Sequence, residues 1–194
     1  MKPILGLDSR VAYTLLVAAF AVARLGELRL ARRNRAALLA RGGVEAAPGH
    51  YRVMVLLHAT FLAACPLEVW SLGRPFRPAL AVPMLVLLGL AVGLRYWAIA
   101  TLGPRWTTRI ICLPGVAPVV GGPYRLLRHP NYLAVAIEIA ALPLVHGAWW
   151  SAALFSLANA LLLAVRIRAE ERALARLSDY ETAFAGRPRL FPRR

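Results

Sequence analysis

Lysine is almost absent from this chain: Lys2 is the one exception among 24 basic residues, and the rest are arginine. Acidic residues are scarce as well, nine in all, which leaves a formal net charge of +15. The two cysteines, Cys65 and Cys112, stand far apart, so neither a disulfide framework nor a cysteine metal cluster is indicated. Charged residues make up 17% of the 194 positions, below the ~25% of a soluble domain. No internal repeat, heptad pattern or low-complexity segment is visible, which excludes solenoids, coiled coils and biased linkers. What is abundant is apolar surface. Hydrophobic residues reach 59% and the mean hydropathy is +0.57. That composition excludes a disordered chain and a small secreted scaffold, and points to an integral membrane protein.

A helix needs roughly 20 mostly apolar residues to cross the hydrocarbon layer. Candidate spans are Ser9–Leu28, Val53–Leu72, Pro78–Ala100, Asn131–Val145 and Ala148–Val165. The last two form one nearly uncharged stretch, interrupted by Glu138 and by the turn-like His146-Gly147, and they read as a tight helical hairpin. The expected fold is therefore all-α: a polytopic helical bundle of about five transmembrane helices. It is expected as a single domain, with three spans in residues 1–100 and a loop, hairpin and tail in residues 101–194.

Arginine placement supplies the orientation. Arg29, Arg32, Arg33, Arg35 and Arg41 follow the first span, Arg105, Arg109, Arg125 and Arg128 follow the third, and a basic tail from Arg166 to Arg194 follows the fifth. The intervening loops hold Arg74 and Arg77, or none. The positive-inside bias then places the N-terminus outside and the arginine-rich loops and C-terminus in the cytosol. This accounts for the basic charge without nucleic acid. Ala21-Val22-Ala23 also resembles a signal-peptide cleavage site, but cleavage there would upset the alternation. Residues 33–50 read as a cytosolic linker or surface helix.

Most of the distinctive residues lie on the arginine-rich side. LGPRWTTR, Leu102–Arg109, is followed by IICLPGVAPVVGG and by PYRLLRHPNY, Pro123–Tyr132. Pro130 disfavours helix at His129, so the fourth span is expected to start at Pro130 or Asn131. His129, Asn131 and Tyr132 then sit at a helix N-terminus, which favours an anionic group. A plainer reading is a membrane-interface belt of Trp106, Tyr124 and Tyr132, with arginines on lipid phosphates. After the fifth span, Arg166 and Glu170 share one helix face, and Glu171, Leu174 and Leu177 fit an amphipathic surface helix. Within the spans, His58, Glu68 and Glu138 stand out, because a charge in hydrocarbon usually faces a cavity or a partner. Glu138 lies about two turns inside its span, roughly 10 Å, and His58 at a similar depth. Glu68, nearer the outer end, reads as structural or interfacial.

GGPYRLLRHPNY, followed by a hairpin and RIRAEERAL, resembles the isoprenylcysteine carboxyl methyltransferase family of integral membrane enzymes over residues from about 95 to the C-terminus. The stretch from WTTRIICLPG through RIRAEE looks most like a bacterial branch that methylates phenolic or pyrone lipids of polyketide origin. The resemblance implies an S-adenosyl-L-methionine-dependent enzyme. In it Tyr124, His129 and Tyr132 contact the cofactor, with Pro130 and Asn131 of the same motif and the chain around Val116, Ala117, Pro118 and Val119. Glu170 matches the family's cofactor-binding glutamate and Arg166 its substrate-side arginine. Arg109 stands where eukaryotic members carry a cofactor-binding glutamine.

The expected function is methyl transfer to an oxygen of a membrane-partitioned lipid: a phenol, an enol or a carboxylate. The expected partners are a lipophilic small molecule and membrane lipids. A phenol gains from a base, so His58, oriented by Glu138, is a candidate to assist deprotonation while Arg166 stabilises the oxyanion. Rival readings are isoprenylcysteine carboxyl methylation, an NADPH-dependent membrane reductase, and a non-catalytic lipid carrier. Reduction of a substrate double bond would mark the reductase, and movement without chemical change the carrier.

Overall fold

The computed structural model describes residues 8–190. The start of the chain and the tail beyond Leu190, Arg194 included, lie outside them. Helix α1 runs from Ser9 to Ala40, α2 from Gly49 to Ser71, α3 from Pro78 to Leu102, α4 from Pro130 to Leu144, α5 from Trp149 to Leu177, and the short α6 from Tyr180 to Ala183. Two three-residue strands, β1 (Val44–Ala46) and β2 (Ile110–Cys112), pair antiparallel, with Glu45 opposite Ile111.

Four helices, α1, α2, α3 and α5, are long and apolar enough to cross a membrane. The expected count of five is approximate, because α4 has 15 residues and spans only about 22 Å at 1.5 Å per residue. It lies inside the bundle rather than on its rim: Ala134, Val135, Glu138, Ile139, Ala141 and Leu142 are all buried. Large apolar side chains such as Leu56, Leu67, Leu90, Leu154 and Leu161 stay exposed on the outer faces, as expected where lipid replaces water.

Two boundaries differ from expectation. α1 continues through the first arginine-rich segment, because alanine, leucine and arginine are strong helix formers and no glycine or proline lies between Arg29 and Arg41. α5 likewise runs unbroken through Arg166 and Glu170 to Leu177, so the amphipathic segment extends a spanning helix instead of forming a separate one. The α4–α5 hairpin turns at Gly147, which has φ +68. Beside it His146 is buried, hydrogen-bonded at 3.1 Å to the Ser9 hydroxyl. Glu68 has the structural role expected: its carboxylate accepts the backbone N–H groups of Trp150 (3.2 Å) and Ser151 (2.7 Å), capping α5, and pairs with Arg74 at 2.7 Å.

Candidate functional site

The antiparallel arrangement brings the C-terminal ends of α1, α3 and α5 and the N-terminal end of α4 to one end of the bundle, where they enclose a cavity. Its walls come from Leu38, Leu102, the segment Arg105–Leu113, Val116–Val119, the Tyr124–Tyr132 segment, and Arg166, Glu170 and Leu174 of α5, with Tyr180 and Phe184 beyond. The cavity is partly open to the outside at this end of the bundle.

Local sequence fixes the walls. Gly122 takes φ +51, and a Cβ there would collide with the Thr101 hydroxyl, so only glycine permits this turn against α3. Pro130 occupies the first turn of α4, where a missing N–H costs nothing. The tail straps this loop from outside. The N–H groups of Arg128 and His129 donate to the carbonyls of Pro188 (2.9 Å) and Arg189 (3.0 Å), and the Arg187 guanidinium donates to the Tyr124 carbonyl at 2.8 Å.

At the centre, the Tyr132 hydroxyl donates to the Glu170 carboxylate and accepts from Arg166 Nε at 2.9 Å. Arg166 also donates to the Thr108 carbonyl at 2.6 Å. The spacing of Arg166 and Glu170 on α5 and the placing of Tyr132 in the first turn of α4 thus produce one continuous chain: guanidinium, phenol, carboxylate. His129 is stacked on Tyr132, ring centroids 5.3 Å apart and planes 18° from parallel, and its Nε2 donates to Glu171 at 3.2 Å. The Arg189 guanidinium holds the same Glu171 carboxylate at 2.7 Å. Tyr124 is buried, and that burial, helped by the nearby Glu170 charge, pushes its hydroxyl above the ordinary tyrosine range and keeps it neutral.

Of the residues expected to hold a cofactor, Arg109, Val116, Pro118, Val119, Tyr124, His129, Asn131, Tyr132 and Glu170 line this cavity together. Ala117 and Pro130 belong to the same segments but not to its surface: the Ala117 carbonyl accepts from Arg105 at 2.7 Å, and Pro130 is buried in the start of α4. Arg109 turns partly away. Its guanidinium pairs with Glu45 at 2.5 Å and lies 4.1 Å above the Tyr51 ring. Glu45 is also held by Arg35 at 2.9 Å. Burial opposes its ionisation, but the two guanidiniums outweigh it and hold the carboxyl below the usual glutamate range.

Among the expected catalytic residues, Arg166 is in the cavity wall, whereas His58 and Glu138 are not. Nor do they pair with each other. His58 Nδ1 donates to the Met54 carbonyl at 2.8 Å, and the Glu138 carboxylate is gripped by Arg95 through Nε at 3.0 Å and through Nη2. Similar depth did not mean contact, because a nearer guanidinium satisfies the carboxylate. Arg95 also reaches Glu27 at 3.5 Å, and Glu27 pairs with Arg24 at 2.8 Å. Reasoning from sequence missed this four-charge cluster across α1, α3 and α4. The available signal was the position of Arg24, Glu27 and Arg95 inside apolar runs. The plainer reading of Trp106 as a membrane-interface residue does not fit its burial, since Trp106 is 2% exposed. Trp106 Nε1, Asn131 Oδ1 and the Tyr180 hydroxyl, all from the cavity wall, are buried without a hydrogen-bond partner.

Residues 82–176 match the isoprenylcysteine carboxyl methyltransferase (ICMT) family. The chain is similar to the uncharacterised protein YpbQ of Bacillus subtilis (strain 168), 38% identical over 167 residues that cover 86% of this chain and 98% of that protein. It is similar also to an uncharacterised protein of Haemophilus influenzae, 27% identical over 155 residues covering 79% of this chain and 90% of the other.

Proposed function

The chain belongs to the isoprenylcysteine carboxyl methyltransferase family and is a membrane methyltransferase, and from that premise we propose that it moves a methyl group from S-adenosyl-L-methionine to an oxygen of a lipid dissolved in the bilayer. The observation that carries this reading is the single cavity in which Arg166, Tyr132 and Glu170 form an unbroken chain beside the stacked His129. The cavity opens at one end of the bundle, where a water-soluble donor can meet a lipid-soluble acceptor.

The groups present fit such a donor. Asn131 Oδ1 and the Tyr180 hydroxyl are buried without partners, and an unmet buried polar atom costs about 1–3 kcal/mol, so a ligand with amino and hydroxyl groups would relieve both. Glu170 supplies a carboxylate for ribose hydroxyls or an ammonium. The Tyr124 and Tyr132 rings offer faces to a cationic or flat group. When bound, the donor supplies an electrophilic methyl: its carbon–sulfur bond breaks as the carbon–oxygen bond forms, the electron pair stays on sulfur, and the acceptor's proton goes to water.

This chain's residues would then align and dry the two partners. Arg166, held by Tyr132 and the Thr108 carbonyl, would stabilise the acceptor oxygen as an anion. A phenol or enol of a polyketide-type lipid is the acceptor we favour, because the stretch 106–171, from WTTRIICLPG through RIRAEE, looks most like that branch. Donor and acceptor are both expected on the cytosolic side.

Titrating purified protein in detergent with S-adenosylhomocysteine by calorimetry tests the reading. Wild type should bind. Glu170→Ala should weaken binding at least tenfold, in line with about 1.5–3 kcal/mol for a hydrogen bond to a charged group. Arg166→Ala should bind nearly normally yet fail to label lipid extracts with isotopic methyl. Binding of NADPH with no binding of S-adenosylhomocysteine would overturn the proposal.

A further inference from the structure

The outer side of α5 carries one continuous stripe. Trp150, Leu154, Leu161 and Val165 are exposed apolar residues, and Arg168, Arg172 and Arg176, exposed as well, follow them. At 3.6 residues per turn all seven fall within about 80° of one another around the helix. The stripe has the dimensions of a bilayer. Trp150 and Arg168 stand about 27 Å apart at 1.5 Å per residue, against a hydrocarbon layer of about 30 Å. Tryptophan suits one interface. Arginine suits the other, because its stem can lie along apolar surface while its charge sits among the headgroups. From Arg168 to Arg176 the helix climbs a further ~12 Å, which carries three guanidiniums through a headgroup layer about 5–8 Å deep.

No carboxylate of the chain answers these charges. Among the described residues none of the three arginines pairs with an acid: on the same helix Glu170 is taken by Tyr132, and Glu171 by His129 and Arg189. Arg172 Nε turns back along the helix to the Arg168 carbonyl at 3.1 Å. α1 also presents exposed arginines at this end, Arg29, Arg32 and Arg33, but they occupy only about 6 Å of its axis, half the reach of the α5 ladder. We propose that the α5 ladder is a docking site for the headgroup of an acidic phospholipid in the leaflet at the cavity end. The acyl chains lie along Leu161 and Val165, and the phosphate oxygens meet guanidiniums whose paired N–H donors match them. A zwitterionic lipid brings its own cation to a surface that is already positive, so the site discriminates by headgroup charge. Arg166 and Glu170 of the same turns line the cavity on the opposite face of the helix, so a lipid held on the ladder does not enter the cavity.

Native mass spectrometry of the protein in detergent, titrated with phosphatidylglycerol or with phosphatidylcholine of the same acyl chains, tests the site. Wild type should hold its first phosphatidylglycerol at least about tenfold more tightly than its first phosphatidylcholine. The triple variant Arg168→Gln, Arg172→Gln, Arg176→Gln should weaken that first phosphatidylglycerol at least about tenfold, each arginine contributing roughly fivefold. The triple variant Arg29→Gln, Arg32→Gln, Arg33→Gln takes equal charge from the same end and should leave it within about threefold, because the ladder is intact. Equal affinity for the two lipids, unchanged binding in the ladder variant, or equal losses in the two triple variants would mean general attraction to a basic surface and overturn the site. A measurement on the unaltered protein is free of any folding defect in the variants. Phosphatidylglycerol with a photoactivatable headgroup should label residues 164–178, and labelling confined to α1 or to the other end of the bundle overturns the proposal.

Discussion

Tyr132 shows how much one side chain organises here. Its hydroxyl is the only link between the Arg166 Nε group and the Glu170 carboxylate among the described contacts. Phenylalanine would fill the same space and leave both charged neighbours facing a gap. Tyr132→Phe should therefore cost roughly ten- to a hundredfold in kcat/KM, about 1.5–3 kcal/mol for a hydrogen bond to a charged group, with a smaller change in thermal unfolding temperature. Methyl-transfer kinetics beside a melting curve in detergent checks this, and a loss of stability without a loss of turnover would contradict it. Much of this centre was legible in the sequence. Tyr124, His129 and Tyr132 lie in one short run, and Arg166 and Glu170 share a face by helical spacing alone. What could not be read was the partner of each group. Glu171 for His129, Glu45 for Arg109 and Arg95 for Glu138 come from segments remote in sequence, and only the packing of helices decides which carboxylate a guanidinium meets first.

Among the elements, α1, α3 and α4 are joined by Arg24, Glu27, Arg95 and Glu138 rather than by apolar contact alone. Two positive and two negative groups make the cluster neutral, and removing one member leaves a buried charge unpaired. Arg95→Met or Glu138→Met alone should destabilise the bundle by about 3–5 kcal/mol, whereas the double variant should recover most of that loss. Thermal unfolding of the three variants measures this, and additive single effects would argue against coupling. The sequence placed Glu138 in a span but offered His58 as its partner. The spans were read as apolar runs, so arginines inside them were passed over. The β1–β2 ribbon is a second case. Composition marked residues 33–50 as a cytosolic linker or surface helix; the first part continues α1 to Ala40, and beyond it β1 pairs with β2 and delivers Glu45 to Arg109 of the cavity wall. A carboxyl depressed in the folded state contributes stability above its unfolded pKa and loses it as pH falls through the folded value. The stability advantage of wild type over Glu45→Gln should accordingly be constant near neutrality and shrink only below about pH 4, which melting curves against pH would reveal.

Across the whole molecule, the two ends of the bundle differ in chemistry. One end carries the cavity and exposed arginines such as Arg41, Arg105, Arg125 and Arg168. The other is closed by the Glu68 cap on α5 and the Ser9–His146 contact. Alternating arginine content along the sequence anticipated this polarity, because each loop's charge is a local property and helix direction reverses at every turn. The positive-inside bias predicts that the cavity end faces the cytosol. Thiol labelling decides it cleanly, since both native cysteines are buried and burial pushes the Cys112 thiol up to about 11, leaving it protonated and unreactive at neutral pH. Cysteine introduced at exposed Arg77, in the turn between α2 and α3, should react with a membrane-impermeant maleimide in intact cells. Cysteine at exposed Arg41, just past α1, should react only after permeabilisation. The reverse pattern would put the cavity outside, where a cytosolic methyl donor could not reach it, and would remove the physical reason for a cofactor pocket at that end.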